Sequence, residues 1–281
     1  MPGKPKSPKR FFASMKIRPI KSLGQNFLLD EIALQKIVTA AQLSPLDDVL
    51  EIGAGLGALT RLLGEGASSV VAVERDSKLI PGLKTAVSGL PNVTVVHGDA
   101  LDMDFKQFSC GQKLKVVSNL PYSVSSQIIM SLLERRGLFS LLVLMVQREL
   151  AQRITARPGG RDIGAISVLI QVYMDCSALF NVPPGAFWPE PGVESTVIKL
   201  MPLETPKIPE SLQKQFASIV KACYSQRRKM IANSLRSILS RDETQRVLEA
   251  ASIDPKRRPE TLSVEEFGIL AEAAAQIEHA P

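Results

Sequence analysis

Short apolar runs alternate with helically spaced stretches along most of this chain. The runs are Val49–Ile52, Val70–Val73, Val93–Val96, Leu114–Val117 and Leu141–Val146. Val and Leu crowd them with little polar alternation, as parallel strands buried on both faces require. Between them, apolar residues recur at helical spacing. Ile32, Leu34, Ile37, Val38 and Ala41 predict a helix over about Asp30–Leu43, and a second is predicted over Ala58–Leu63. Strands alternating with helices predict an α/β fold with a doubly wound sheet. Residues 193–200 do alternate and predict a late antiparallel strand.

The pattern changes after Pro202. The stretch to Pro209 carries three prolines and no periodicity, so it reads as a linker. Beyond it the chain is helical in pattern. Leu212, Phe216, Ile219 and Cys223 lie on one stripe, which Ile231, Leu235, Ile238 and Leu239 continue. Residues 1–22 hold seven Lys/Arg, four prolines and no acid, and read as a basic arm. The expected division is an arm over 1–22, a sheet domain over 23–203 and a small all-helical domain over 204–281.

With 281 residues, 45% of them apolar, the chain can bury a core. Its net charge of +6 favours a polyanionic partner. Two clusters carry much of that charge. One holds Arg148, Arg153, Arg157 and Arg161. The other spans residues 221–246 and includes Arg227, Arg228 and Lys229. Both suit phosphate contacts, and both are also compatible with ordinary solvated helix faces. Three scattered cysteines and two histidines supply neither a disulfide framework nor a zinc cluster. No metal is expected. The chain shows no apolar run of about 18 residues and its opening residues no apolar h-region, so neither secretion nor membrane spanning is expected. A cytoplasmic protein is the expectation.

The chemistry concentrates at three places. Glu51-Ile52-Gly53-Ala54-Gly55-Leu56-Gly57 runs from a predicted strand into a predicted helix. Glycines there permit a tight turn and a close backbone approach to a nucleotide-type cofactor. The loop alone does not choose between NAD and S-adenosylmethionine. Glu74 ends the next strand, where a carboxylate can accept from both ribose hydroxyls. Asp99 follows the third strand and can accept from an adenine amine.

The discriminating motif is Asn119-Leu120-Pro121-Tyr122, after the fourth strand. An amine whose lone pair is delocalised into a ring, such as adenine N6, is a poor nucleophile. Acceptors that hold its hydrogens favour a pyramidal nitrogen. The Asn119 side-chain oxygen and the Leu120 carbonyl can serve. Pro121 fixes the direction of that carbonyl, and Tyr122 offers a flat face to an unstacked base. Asparagine is no base, so the expected mechanism is positioning for direct attack on a methyl carbon.

At these residues the chain resembles the KsgA family of ribosomal RNA adenine N6,N6-dimethyltransferases. Gly24-Gln25-Asn26-Phe27-Leu28 is similar to its G-Q-N-F-L opening, and the glycine loop and Asn119–Tyr122 follow in order. Phe187-Trp188-Pro189-Glu190-Pro191-Gly192-Val193-Glu194-Ser195 is similar to F-x-P-x-P-x-V-x-S, and Gln226-Arg227-Arg228-Lys229 to its Q-R-R-K helix. The resemblance implies a Rossmann-like S-adenosylmethionine-dependent methyltransferase sheet with a helical C-terminal domain. It implies that Gln25, Asn26, Leu28, Gly53, Gly55, Glu74, Asp99, Ala100 and Asn119 meet the cofactor. It implies that Phe187 helps Tyr122 hold the adenine. The implied substrate is two adjacent adenosines near the 3′ end of 16S rRNA, in an assembling small subunit, with the enzyme acting as a monomer. Two rivals share the fold: a macrolide-resistance type of 23S rRNA adenine methyltransferase and a non-catalytic RNA-binding assembly factor. The resistance enzymes resemble N-I-P-Y where Leu120 stands here. An NAD-dependent dehydrogenase is a distant third.

Overall fold

The computed structural model describes Pro19 and residues 24–109, 111–225 and 229–278. Its secondary elements, in chain order, begin with β1 (Phe27–Leu28), α1 (Glu31–Ala41), β2 (Asp48–Ile52), α2 (Ala58–Gly66), β3 (Ser69–Glu74), α3 (Ile80–Ala86), β4 (Val93–His97) and β5 (Leu114–Asn119). Then come α4 (Ser125–Glu134), β6 (Phe139–Gln147), α5 (Arg148–Thr155), α6 (Ala165–Gln171), β7 (Met174–Val182), β8 (Phe187–Trp188) and β9 (Ser195–Pro202). Four helices follow: α7 (Gln213–Ser225), α8 (Ile231–Leu235), α9 (Arg241–Ala250) and α10 (Val264–Glu278). Among the described residues no helix is long and apolar enough to cross a membrane.

Seven strands form one sheet in the order β4-β3-β2-β5-β6-β9-β7. From β4 to β6 every pairing is parallel, and β9 runs antiparallel to β6. The five apolar runs are the five parallel strands, and β9 is the alternating run. Central β2 is buried at all five positions, which is why its pattern shows no alternation. Edge strand β4 is more open, with Thr94 exposed. Edge strand β7 was not legible in the sequence. Its Asp175, Ser177, Ala178 and Asn181 are exposed, so it carries no apolar run. A separate two-stranded ribbon pairs β1 with β8, Leu28 opposite Phe187.

Helix α1 starts where Asp30 caps it, its side chain accepting from the Ala33 N–H at 2.9 Å. Such caps contribute about 1 kcal/mol. Ala33, Leu34, Ile37 and Ala41 face the core. Ile32 does not; it is 69% exposed.

The chain divides into two compact units. One comprises residues up to Ala151 with Ser177–Pro202, and the other Gln152–Cys176 with Leu203 onward. Helix α6 falls in the second unit because it packs with α7. The Gln171 side chain ties α6 to the end of α5 at the carbonyls of Ile154 and Ala156, at 2.7 and 2.8 Å. In this second unit Phe216, Ile219 and Cys223 of α7 are buried, and Tyr224 meets Phe267 of α10 at 6.0 Å between ring centres. The stripe breaks after Leu235, where α8 ends, leaving Ile238 exposed.

Candidate active site

The carboxyl ends of β2, β3, β4 and β5 open on one cavity of about 680 Å3, lined by residues of the first unit. The turn after β2 makes its floor. Gly53, Gly55 and Gly57 take φ of 78°, 59° and 82°, a region that L side chains avoid. The N–H groups of Gly53 and Ala54 both donate to the Val73 carbonyl, at 2.8 and 3.1 Å, locking the turn to β3. A Cβ on Gly55 would approach the Phe27 ring to 3.3 Å.

Glu74, 7% exposed, sits beside this turn at the end of β3. One carboxylate oxygen accepts from the Gly55 N–H and the other from the Asp76 N–H, each at 2.8 Å. Each oxygen keeps a further lone pair for a ligand. Burial pushes this carboxyl above the ordinary range, although the two N–H groups oppose the shift. Asp99 also lines the cavity. It accepts from the Leu101 N–H and pairs with the Arg75 guanidinium, both at 3.1 Å. Ala100 beside it is buried.

The opening segment closes another wall. Gln25 donates to Asp76 at 2.9 Å. Gly24 takes φ 64°, and a Cβ there would sit 2.9 Å from the Ser123 nitrogen. Only a glycine lets this segment lie against the tetrapeptide. Asn26, next but one, offers its carbonyl to the Asn119 side-chain amide at 3.1 Å.

Asn119 ends β5 opposite Met145 of β6. The Leu120 N–H donates to the Met145 carbonyl at 3.1 Å, and the Ser125 hydroxyl donates to the Pro121 carbonyl at 2.9 Å. Ser118 donates to the Ile52 carbonyl, tying β5 to β2 just before the motif. Tyr122 lines the cavity, and its hydroxyl shares a hydrogen bond with Ser195. Burial raises its pKa, so the phenol is neutral at physiological pH.

The structure thus brings Gln25, Asn26, Leu28, Gly53, Gly55, Glu74, Asp99, Ala100 and Asn119–Tyr122 to one cavity. Phe187 is placed differently. It is 3% exposed, in the core cluster with Leu28, Leu34 and Met145, and is not among the cavity-lining residues. Its pairing with Leu28 in the β1–β8 ribbon draws it inward. Of the basic residues, Arg148 pairs with Glu194, Arg153 is half-buried and Lys229 is exposed. Gln226, Arg227, Arg228 and the arm over 1–18 and 20–22 lie outside the described residues.

Glu51, at the head of the glycine motif, is a cavity residue to which the sequence pattern assigns no role. It is 2% exposed, and its Oε2 has no hydrogen-bond partner; nor has the Thr60 hydroxyl. Burial pushes the Glu51 carboxyl up to about 8. The Thr60 hydroxyl is near enough to offset part of this without reaching bonding geometry, and the negative charge of Glu74 adds to it. The signal was an acid between Leu50 and Ile52, inside the apolar run of a fully buried strand.

A parallel sheet with one antiparallel strand inserted beside its last parallel member, and a glycine-floored cavity at its carboxyl ends, define a Rossmann-like methyltransferase of the S-adenosylmethionine-dependent type. The ribosomal RNA adenine dimethylase family matches residues 17–276, and the chain belongs to that family. It is 42% identical over 279 residues to the "Ribosomal RNA small subunit methyltransferase A" of Alkaliphilus oremlandii, covering 97% of each. Among solved structures it is similar to a dimethyladenosine transferase from Plasmodium falciparum, with 27% identity and TM-score 0.75 over 87% of this chain and 95% of that one. It is also similar to the 23S rRNA methyltransferase ErmE, with 26% identity and TM-score 0.69 over 89% of this chain and all of that one.

Proposed function

We propose that this protein transfers methyl groups from S-adenosylmethionine to N6 of two adjacent adenosines near the 3′ end of 16S rRNA, in an assembling small subunit. The observation that carries the reading is the placement of Asn119. Its amide is held by the Asn26 carbonyl, and both residues line the cavity that the glycine turn also lines. The family and the small-subunit relatives support the substrate.

The cavity suits this cofactor. Its volume accommodates a nucleoside carrying an amino-acid tail. The orphaned Glu51 oxygen and the Glu74 and Asp99 carboxylates favour a ligand bearing positive charge. Glu74 would accept from the ribose hydroxyls and Asp99 from the adenine amine. Gly53 and Gly55 let the backbone come close, and Gln25, Asn26, Leu28 and Ala100 close the walls. When bound, the cofactor supplies an electrophilic methyl on a sulfonium.

The chain's own groups then act on the target base. The Asn119 side-chain oxygen and the Leu120 carbonyl accept the two N6 hydrogens and favour a pyramidal nitrogen. Pro121 fixes the carbonyl, and Tyr122 supplies a face for the base. The methylated nitrogen is cationic and loses a proton to water, so no side-chain base is required. Arg148, Arg153 and the Arg227-Arg228-Lys229 segment would meet RNA phosphates, the last within a helical domain over 204–281. Phe187, packed in the core beside Leu28, would help Tyr122 hold the adenine, as the resemblance implies. We infer a monomer working in the cytoplasm, where small subunits assemble.

The test is mass spectrometry of ribosomal RNA after incubation of small and large subunits with the protein and labelled S-adenosylmethionine. Dimethyladenosine at adjacent adenosines of 16S rRNA is expected. Label on 23S rRNA alone would assign the resistance-type activity, and no label at all would leave a binding role.

A further inference from the structure

The Tyr122 ring is tied at both ends. At its backbone end the loop is pinned to β6 through Leu120 and to α4 through Ser125. At its phenol end the hydroxyl meets the Ser195 hydroxyl. Ser195 opens β9 in register with Gln147 of β6 and is wholly buried. Its neighbour Thr196 donates to the Asn181 side chain at 2.8 Å, fixing the start of the strand. Ser195 itself does not line the cavity, so it meets the ligand space only through Tyr122.

A loop pinned by its backbone still leaves a tyrosine free to turn about its Cα–Cβ bond. A tether at the para position removes that freedom. Buried hydroxyls need partners, and each of these two supplies one to the other. The serine is therefore explained by the ring, and the ring's orientation by the serine.

We propose that Ser195 is a positioning residue for methyl transfer: its hydrogen bond to the Tyr122 hydroxyl fixes the direction of the ring axis, and with it where the ring stands beside the target base. This rests on the reading of Tyr122 as the base's platform. Small errors of base placement matter because the reaction needs the nitrogen in line with the methyl carbon. The effect belongs in the chemical step rather than in cofactor binding. For Tyr122→Phe it means that the ring face survives while its orientation is released.

The experiment compares Ser195→Ala, Tyr122→Phe and the double variant with wild type. Single-turnover methylation of immature small subunits is followed at saturating cofactor, with S-adenosylhomocysteine affinity as the check on folding. Each single variant is expected to be slower by about tenfold, the scale of one hydrogen bond. The double variant should be no slower than the slower single one. Half-saturation by subunits and S-adenosylhomocysteine affinity should stay within about twofold of wild type, since the ring face, the phosphate contacts and the cofactor's partners remain. Multiplying effects, or a Tyr122→Phe rate equal to wild type, would overturn the proposal. Because Tyr122→Phe breaks the same bond with β9 intact, an unfolded Ser195→Ala would not rescue it.

A second arm is independent of activity. The chain has three tyrosines, so carbon-13 labelling resolves Tyr122 by comparison with Tyr122→Phe. Its Cζ resonance should move in Ser195→Ala. A resonance that stays in place would also overturn the pairing. If wild type methylated no adenosine, the functional reading would fail while this arm still decided the tether.

Discussion

The side-chain amide of Asn119 donates to the main-chain carbonyl of Asn26 at 3.1 Å, across 93 residues of sequence. A carbonyl only accepts, so this contact orients the amide nitrogen toward Asn26 and its oxygen away from it. The opening segment thereby selects which atom of Asn119 remains for a substrate. The same segment owes its path to Gly24, which alone fits against the backbone of Tyr122 and Ser123. Sequence motifs far apart in the chain are one piece of machinery here.

Loss of the Asn119 oxygen should appear mainly in turnover, because its hold on the amine strengthens as the nitrogen becomes pyramidal. Asn119→Ala is expected to lower the single-turnover rate by about 10²–10³. Asn119→Asp should do no better, because its carboxylate would face the Asn26 carbonyl without a proton to share. Rapid-quench methylation of immature small subunits at saturating cofactor measures both. An aspartate variant near wild-type rate would mean that the contact with Asn26 orients nothing.

Glu74 predicts a pH dependence of cofactor affinity. Its carboxyl is raised by burial, with the Asp76 and Gly55 N–H groups partly opposing. Ribose hydroxyls donate best to the ionised form, so binding favours loss of the proton. Affinity for S-adenosylhomocysteine should therefore fall as pH drops through the raised value, starting above the range of an ordinary glutamate. Glu74→Ala should weaken binding by about 1–3 kcal/mol at neutral pH and flatten this dependence. Calorimetric titration from pH 5 to 8 tests both, and a pH-independent affinity in wild type would remove Glu74 from the ribose.

The parallel strands were legible because burial on both faces writes itself as unbroken Val and Leu. Strand β7 was not, because an edge strand with one exposed face can hold Asp175, Ser177 and Asn181. The cavity residues were legible as motifs, yet their partners were not. Nothing in a linear chain pairs Tyr122 with Ser195, a contact that depends on register across β5, β6 and β9, or Asn119 with the backbone of Asn26, which depends on how the opening segment lies against Tyr122 and Ser123. Phe187 shows the reverse difficulty. A motif aromatic looks like a platform for a base, and the ribbon with Leu28 decides that it packs inward.

The basic segment after α7 predicts a salt-sensitive grip on RNA. Lys229 and Arg236 are exposed, and Arg227 and Arg228 lie just before Lys229 in sequence. Removing one side chain that meets a phosphate should flatten the salt dependence of binding by roughly one unit of slope. Arg227→Ala with Arg228→Ala is expected to weaken small-subunit rRNA binding and lower the slope, with S-adenosylhomocysteine affinity unchanged. Filter binding at several salt concentrations reads the slope, and an unaltered one would place the RNA elsewhere.

Glu51 predicts how stability changes with pH in the ligand-free protein. Its carboxyl titrates near 4.5 when unperturbed and near 8 when folded, with burial the main cause. Between those values the folded state holds a proton that the unfolded chain has lost. Folding therefore takes up a proton in that window, and stability falls as pH rises through it. The contribution is fully present below about 4.5 and gone above about 8. Glu51→Gln cannot ionise, and its amide can donate to the Thr60 hydroxyl, which lacks a partner. The variant should match wild type closely at pH 4.5. Its advantage should then grow with a slope approaching about 1.4 kcal/mol per pH unit, the limit for one proton. Denaturant unfolding at pH 4.5, 6, 7.5 and 9 measures the difference. A gap that stayed constant across that range would show that Glu51 keeps the same protonation folded and unfolded. A gap that grew, and then closed when S-adenosylhomocysteine was added to both proteins at the same concentration, would place the ionised Glu51 carboxylate against the bound ligand.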